Sequence, residues 1–425
     1  MFKSLLVGRS RVHRGVRATV ALLIGVNFNA GAAAAGLSYD DALAAAEARA
    51  PELSARRHAI DSAQSARTAA DALPDPRLVL GLDNVPINGP DAGSLDRDFM
   101  TMRRIGLMQE VPNAAKRRAR ADTAAAAAER ERATLAIERL TVRRDTALAW
   151  LDRYFIERQL ALLDELERET RLLVQTTQAQ VTGGHGMPAD MTMTRQEMVM
   201  LADRRDELTR RRARARAALV RFVGASAGDT LAGDPPAFNI DPQTLRTHLH
   251  RHPELAVYEP LAAQAAAEAR AAQAETRPDW GVEFAYQKRG AAFSDMASVQ
   301  FSFDLPLFTA NRQNPRIAAK REEQARIADE REALLRKHTE ELEGWLSDHA
   351  ALSQKLKRTN ETWLPLAREK ADLMLAAYRA GRGDLTPIIM SRRELIEARM
   401  KAIDLEAELD AVSAKLAYLN VENPE

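Results

Sequence analysis

The chain has 425 residues, of which 28% are charged and 5% are aromatic, and it contains no cysteine. Its formal net charge of +1 gives no overall field that would attract nucleic acid, and the lack of cysteine excludes disulfide bonds. The sequence shows no phosphate-binding loop, no metalloprotease helix and no paired nucleophile and base, so we expect neither an enzyme nor a cofactor.

Residues 1–35 have the pattern of a secretory signal peptide. Five basic residues, from Lys3 to Arg17, precede any acidic residue, and a short apolar run and small residues at A-x-A spacing follow. We expect cleavage near Ala35 and export, and an uncleaved interfacial helix is the alternative. Because no cysteine follows, we expect no lipid anchor, and because no later segment has about 18 consecutive apolar residues, we expect no transmembrane helix.

The rest of the chain repeats one pattern twice, about 200 residues apart. "APEL" at 50–53 matches "HPEL" at 252–255, and "TGGHG" at 182–186 matches "RAGRG" at 379–383. The matches predict a tandem duplication with a linker rich in Gly, Pro and Asp. The predicted segments are a first repeat at 36–223, a linker at 224–243, a second repeat at 244–420 and a tail at 421–425.

Each repeat is predicted to contain a helix, two strands and a long helical hairpin. The first helix is predicted over Tyr39 to Ala72 in one repeat and over Pro242 to Ala274 in the other. The hairpins are predicted over 113–223 and 308–419, each opening with a helix of about 70 residues and roughly 100 Å. Their apolar residues recur at spacings of three and four residues, which is typical of coiled-coil or helical-barrel packing.

Alternation with a period of two predicts the strands, at about 77–84 and 99–111 and then at about 279–287 and 296–305. Four short strands with an apolar face and open edges do not form a stable sheet alone. The face could pack on helices of the same chain, or the sheet could pair with a soluble partner.

A third solution is a barrel closed by several chains, whose outer face meets lipid. This solution fits an exported chain with polar residues on the other face, and three chains would give twelve strands, an even number as in bacterial barrels. The side chains predicted to face lipid are Trp280, Val282, Phe284, Val299, Phe301 and Phe303.

Four stretches, in this order and spacing, resemble the TolC-like outer-membrane efflux channels, the outer membrane factors of tripartite RND pumps. They are "PDPRLVLGLDN", "MRRIGLMQEVPNAAKRRAR", "FDLPLFTANR" and "YRAGRGDLTPIIMSRRELIEAR". The resemblance covers about Leu37 to Leu419. Within the family, "GLDNVPINGP" and "MTMRRIGLMQE" look most like the heavy-metal efflux branch.

The resemblance implies a mainly α fold with a small β part, assembled as a homotrimer in the outer membrane and extending into the periplasm. Long helical hairpins would form a trimeric helical barrel, and four strands per chain would contribute to a twelve-stranded β-barrel. The function implied is a passive efflux duct, with heavy-metal cations as a candidate cargo. The implied partners are a periplasmic adaptor (membrane fusion protein), an inner-membrane RND-type pump and outer-membrane lipid. The alternative is an exported coiled-coil scaffold that does not enter the membrane.

The resemblance also implies that the hairpin tips form a periplasmic gate and contact the adaptor. In the family, contacts between the tips of neighbouring protomers close this end, and the matching positions here are Tyr378 and Asp190. Where some relatives carry two pore aspartates, this chain has Pro387 and Met390. The gate candidates are Asp190, Tyr378, Gly381, Asp384, Leu385 and Met390, and the adaptor-contact candidates are Gly184, Met187, Met191 and Gly383.

Two clusters contain possible soft or borderline metal ligands. Methionines recur between Met187 and Met200, where thioethers could bind Cu(I), although packing or adaptor docking is the favoured interpretation. In "HLHRHP", His248 and His252 would share one face of a helix, but no carboxylate or cysteine is placed nearby as a third ligand. We therefore predict no metal site, and the weak candidates are His248, His252, Met191 and Met193.

Overall fold

The computed structural model describes residues 36–184, 186–380, 382 and 384–419. The predicted signal peptide at 1–35, the predicted tail at 421–425, and the gate and adaptor candidates Gly381 and Gly383 lie outside the described residues. Among the helices that are described, none is both long and apolar enough to cross a membrane.

Helices make up most of the described chain, and four strands form one small sheet, which confirms the predicted fold class. The helices of the first half are α1 (Tyr39–Arg49), α2 (Pro51–Ala70), α3 (Ala114–Thr182) and α4 (Pro188–Val223). Those of the second half are α5 (Pro242–His248), α6 (Pro253–Ala256), α7 (Tyr258–Ala274), α8 (Gln313–Arg358), α9 (Leu364–Arg379) and α10 (Leu385–Ala417). The strands are β1 (Arg77–Asp83), β2 (Met102–Val111), β3 (Trp280–Lys288) and β4 (Met296–Phe303).

The single helix predicted over Tyr39 to Ala72 is wrong, because a proline divides it. Ala50 leaves the helical region with ψ 115°, and Pro51 opens α2 at its first position. A proline restricts the residue before it to extended conformations, and the first turn is the one place where its missing N–H costs nothing.

The single helix predicted over Pro242 to Ala274 is also wrong. His252 has ψ 135° in front of Pro253, so the region consists of α5, a short 3-10 turn, the one-turn helix α6 and then α7. The side chain of His252 caps α6 by accepting a hydrogen bond from the amide of Glu254.

The two long helices differ in a way that the sequence prediction missed. In the first repeat α3 runs for 69 residues without interruption. In the second repeat a π-helical turn at Thr359–Trp363 separates α8 from α9, just before Pro365. A proline inside a helix removes one hydrogen bond and its ring crowds the preceding turn, and a wider turn relieves that crowding.

The four strands form one antiparallel sheet in the order β1-β2-β3-β4. The pairing of β2 with β3 joins the two repeats, and it sets Leu107 opposite Phe284. On the outer side of β3, Phe284 lies opposite Val299. Because directly paired residues point to the same side of a sheet, most of the large apolar residues of the four strands share one face.

The helical core is centred on Trp150 of α3, which is fully buried. Its ring packs edge-on against Tyr39 and stacks on Tyr154, with ring centroids 5.6 and 5.2 Å away. Its indole N–H donates to the carbonyl of Leu37 at 3.1 Å, at the point where Leu37 also pairs with Leu231 of the linker. This core therefore ties the first helix, the long hairpin and the linker together.

Polar side chains connect the end of the sheet to the first long helix. The side chain of Asn113 caps α3 by accepting from the amide of Lys116 at 2.9 Å. Asp279, just before β3, accepts from the amide and side chain of Asn113 and from Nζ of Lys116 at 2.7 to 2.8 Å. Burial raises the pKa of Asp279, but Lys116 and Asn113 outweigh burial and hold that pKa below its usual range.

We expect Asp279→Asn to destabilise this junction, because it removes the ion pair with Lys116 and keeps the size of the side chain. The cost should be about 1–3 kcal/mol, at the low end because solvent reaches part of the pair. A carboxyl group with a lowered pKa stabilises the fold above its unfolded pKa of about 3.9 and loses that effect at lower pH. Thermal unfolding of parent and variant should therefore differ at pH 7 and converge as the pH falls below the lowered pKa that Asp279 has in the fold. An equal difference at both pH values would show that the charge of Asp279 is not the stabilising feature.

Candidate functional site

The sheet exposes its apolar face. Leu80, Phe301 and Phe303 are 70%, 60% and 62% exposed, and their neighbours on that face are similarly open. The structure places all six residues predicted to face lipid on this side, with Val282 half-buried and the other five exposed. We call this surface the apolar face; its residues are Leu78, Leu80, Leu82, Ile105, Leu107, Trp280, Val282, Phe284, Tyr286, Val299, Phe301 and Phe303.

The opposite face of the sheet carries charge and is the more sheltered of the two. Nη2 of Arg104 lies 2.5 Å from Oε1 of Glu283, and the two side chains are only 22% and 12% exposed. Gly106 lies beside this pair, where a Cβ atom would come within 2.6 Å of the Glu283 carboxylate and push it aside. Gln287 donates to Ser298 on the same face at 3.1 Å.

This arrangement is the reverse of a sheet in a water-soluble protein. A soluble antiparallel sheet buries its apolar face and leaves its polar face in water. Exposed apolar patches of this extent mark surfaces that meet a partner or a lipid phase. The outer edges of β1 and β4 also have no strand partner among the described residues, so the sheet is open on both sides.

The second candidate region is formed by the tips of the two helical hairpins. The first tip begins after α3 at Gly183 and Gly184, and Gly184 has a φ of +76°, which favours glycine. Met187 and Pro188 then open α4, and the carboxylate of Asp190 accepts from the amide of Met187 at 3.0 Å. Asp190 is therefore a helix-capping residue within its own chain.

The second tip packs against the first through a small apolar cluster. Leu385, Ile388 and Ile389, in the first turns of α10, are buried. Side chains from both hairpins surround them, and these are Leu173, Met193, Met374 and Tyr378. The two tips therefore lie together in one chain.

Tyr378 joins the two tips by a hydrogen bond that the sequence did not suggest. Its hydroxyl donates to Oε1 of Gln180 near the end of α3. The structure thus gives Tyr378 and Asp190 separate partners within one chain. A bond between them across two protomers stays a prediction.

The other tip candidates divide into buried and exposed positions. Leu385 is buried in the apolar cluster, whereas Met390 is 62% exposed and Asp384 is exposed at the cap of α10. The adaptor-contact candidates Gly184 and Met187 are exposed at the first tip.

The methionines of the first tip point in different directions. Met191 is buried, whereas Met193 lies in the contact between the tips, where its sulfur is 3.8 Å from the Thr386 hydroxyl. This placement supports packing as the role of these two side chains.

Two ion pairs across the tips were not predicted. Nη2 of Arg392 lies 2.8 Å from Oε2 of Glu169, and Nη2 of Arg393 lies 2.5 Å from Oε2 of Glu197. The hydrogen bond that Arg393 donates to Glu197 raises the pKa of Arg393. The adjacent arginines in "SRRELIEAR" are visible in the sequence, but their partners depend on how the two hairpins align.

The histidine candidates do not pair as predicted. His248 ends α5 and His252 follows a 3-10 turn, so they do not share one helical face. The prediction that no carboxylate lies nearby is wrong, because the carboxylate of Glu254 lies beside His252. A second histidine, His338, lies there as well. His338 is in α8, and its distance along the chain hid it from sequence analysis.

Comparison with known proteins agrees with this architecture. Residues 42–225 match the family described as outer membrane efflux protein. No curated protein matches the chain by sequence. A solved membrane protein from Pseudomonas aeruginosa is 15% identical with a TM-score of 0.78, covering 90% of this chain and 93% of that one.

Two further solved structures are similar. The outer membrane protein VceC of Vibrio cholerae is 15% identical with a TM-score of 0.74, over 90% of this chain and 96% of that one. The MtrE outer membrane channel of Neisseria gonorrhoeae is 15% identical with a TM-score of 0.71, over 90% and 88%. The chain has the fold of the outer-membrane efflux channels. The predicted family resemblance is confirmed, and the predicted outer-membrane localisation agrees with the description of the matched family.

The apolar cluster at the tips of this efflux-channel fold gives a direct test of how the tips are held. We expect Ile388→Ala to leave a cavity and cost about 2–5 kcal/mol locally, because Ile388 is 1% exposed. Hydrogen exchange of amides at both tips should become faster, while exchange around Trp150 stays unchanged. The control is Met390→Ala, two residues away and exposed, which should leave exchange unaltered. Equal effects of both variants would show that the cluster does not hold the tips.

Proposed function

We propose that the protein is the outer-membrane channel of a tripartite efflux pump, a passive duct from a periplasmic adaptor and inner-membrane pump to the exterior. The observation that carries this proposal is the reversed sheet, with an open apolar face and a sheltered Arg104–Glu283 pair on the other side. Such a sheet suits a barrel with lipid outside and water inside.

The open edges support assembly as a homotrimer. A lipid-facing sheet cannot leave the N–H and C=O groups of an edge strand unpaired, because hydrocarbon offers them no hydrogen-bond partners. Pairing β4 of one chain with β1 of the next satisfies both edges. Three chains give a closed barrel of twelve strands. Exposed apolar residues one heptad apart on α9, Leu366 and Leu373, offer helical contacts between chains.

The cargo proposal is narrower and rests on the resemblance of "GLDNVPINGP" and "MTMRRIGLMQE" to the heavy-metal efflux branch. We propose heavy-metal cations as the cargo and an RND-type pump with its adaptor as the partners. Growth of a deletion strain on graded metal salts and on drugs tests this step. Greater sensitivity to metals alone is expected, and sensitivity to drugs alone would overturn it.

The rival function is an exported scaffold that does not enter the membrane. The two differ in how they fractionate. A barrel protein stays in the membrane pellet after salt and carbonate washes and cross-links to about three times the mass of the mature chain. Release of the protein by carbonate, or a stable monomer in mild detergent with protected strands, would favour the scaffold.

We expect Phe301→Arg to impair insertion and Gln300→Arg to be tolerated, because neighbouring residues of β4 point to opposite faces. An arginine on the lipid face near the midplane costs about 2–4 kcal/mol, whereas one on the water side costs little. Heat-stable trimer in outer-membrane fractions gives the readout. If Gln300→Arg is the more damaging change, the two faces have been exchanged.

We further propose that the paired tips act as the periplasmic gate, with Tyr378 as a switch between two acceptors. A phenol has one proton to donate, and within the chain Gln180 accepts it. Asp190 uses one carboxylate oxygen as a helix cap, and a carboxylate can accept further hydrogen bonds. In the closed trimer the hydroxyl of Tyr378 donates to Asp190 of a neighbouring protomer, as the family resemblance implies, and on opening it returns to Gln180.

Conductance of the channel in planar bilayers tests the switch. Tyr378→Phe removes only the hydroxyl and Asp190→Asn removes only the charge, so both should raise the open probability, and the double variant should add little. Gln180→Leu should leave the channel at least as closed as the parent, because it frees the hydroxyl for Asp190. If Gln180→Leu opens the channel as Tyr378→Phe does, the bond within one chain is what closes the gate.

A further inference from the structure

A cluster of metal-ligand side chains lies away from both the sheet and the tips. His252 and His338 are 4% and 5% exposed, and Glu254 lies beside them at the surface of the cluster. One ligand atom of each residue lies within 4.8 Å of the others. His252 is the cap of the short helix α6 and Glu254 lies within that helix, whereas His338 belongs to the long helix α8.

The orientation of His338 leaves one ring nitrogen for a ligand. Nδ1 lies 3.3 Å from Oε2 of Glu341, one turn along α8. Nε2 is buried and lies 3.1 Å from Oε2 of Glu254, without the alignment of a good hydrogen bond. A buried nitrogen beside a carboxylate without a good hydrogen bond is unusual, since buried polar atoms are generally satisfied.

We propose that His252, Glu254 and His338 bind a divalent transition-metal cation of the Zn²⁺ class. Zinc takes nitrogen and oxygen ligands at about 2.0–2.2 Å, so neighbouring ligand atoms around a tetrahedral ion lie about 3.3 Å apart. The 3.1 Å between His338 and Glu254 matches that spacing. Two imidazoles and a carboxylate leave a fourth position for water.

The surroundings fit the proposal. The Glu341 carboxylate on Nδ1 of His338 fixes the ring and its tautomer, as a hydrogen-bonded carboxylate does for many metal-bound histidines. Metal binding by His252 would break at most one weak contact, because its Nδ1 accepts only a long hydrogen bond of 3.3 Å from the Glu254 amide. Its ring centroid lies 4.8 Å from that of His338. The bound ion would join α6 to α8 and hold the broken helical region of the second repeat on the long helix.

Zinc binding by the full chain in detergent, purified without a polyhistidine tag and stripped with chelator, tests the site. We expect one Zn²⁺ per chain by calorimetric titration and a rise in the unfolding temperature on adding Zn²⁺. Glu254→Gln and His338→Gln, which keep side-chain size, should each weaken Zn²⁺ binding about 10–100-fold and abolish the temperature rise. His250→Ala is the matched control, because His250 is exposed in the same "HLHRHP" segment and outside the cluster.

Three results would overturn the site. They are the absence of saturable Zn²⁺ binding by the parent, binding that Glu254→Gln leaves intact, and binding lost equally in His250→Ala. In those cases His338 and Glu254 form only an ion pair. Glu254 is half-buried and Glu254→Gln conserves its shape, so Zn²⁺ binding by this variant tests the site even if His338→Gln folds poorly. The test reads metal binding and stability alone, so its outcome is independent of whether the protein carries an efflux cargo.

Discussion

The apolar face of the four-stranded sheet has to be covered by something other than water, and no helix of the described chain covers it. Rows of leucine, phenylalanine and valine are open on this side, while an arginine and a glutamate are paired on the other. A water-soluble monomer would not leave an apolar face of this extent open. The helices next to the strands, α2, α3, α7 and α8, are consistent with this constraint, because they continue from the ends of the sheet and leave its apolar face free.

The helices attached to such a sheet have to keep their alignment over a length of about 100 Å. The first repeat achieves this with the unbroken helix α3, whose aromatic core around Trp150 gathers the first helix and the linker. Farther along, polar pairs supplement the narrow apolar contacts, as where Gln159 of α3 donates to Asp404 of α10 at 2.5 Å. Individual exposed ion pairs add little stability, but pairs spread along two helices fix their register and orientation.

Local patterns in the sequence were sufficient to predict the strands and the long hairpins. The alternation in β3 and β4 depends on residues close together in the chain, which is why the residues that share the apolar face could be inferred. The breaks at Pro51 and Pro253 were also readable, but the strong helical composition of both regions masked them. Contacts between distant residues could not be read in this way. The bond from Tyr378 to Gln180 and the approach of His338 to His252 depend on how whole helices align, and a single sequence does not encode that alignment locally.

The duplication explains why the second repeat completes structures that the first only begins. Each repeat supplies a hairpin of two strands, which is marginal alone, and the β2–β3 pairing between repeats makes a sheet of four. The tips are a second example, because Leu385, Ile388 and Ile389 of the second repeat are covered in part by Leu173 and Met193 of the first. Since the two halves are no longer alike in sequence, each can specialise. The continuous α3 provides a straight frame, while the prolines and the π turn of the second repeat are positions at which helices bend, and the proposed gate at the tips would use such bends.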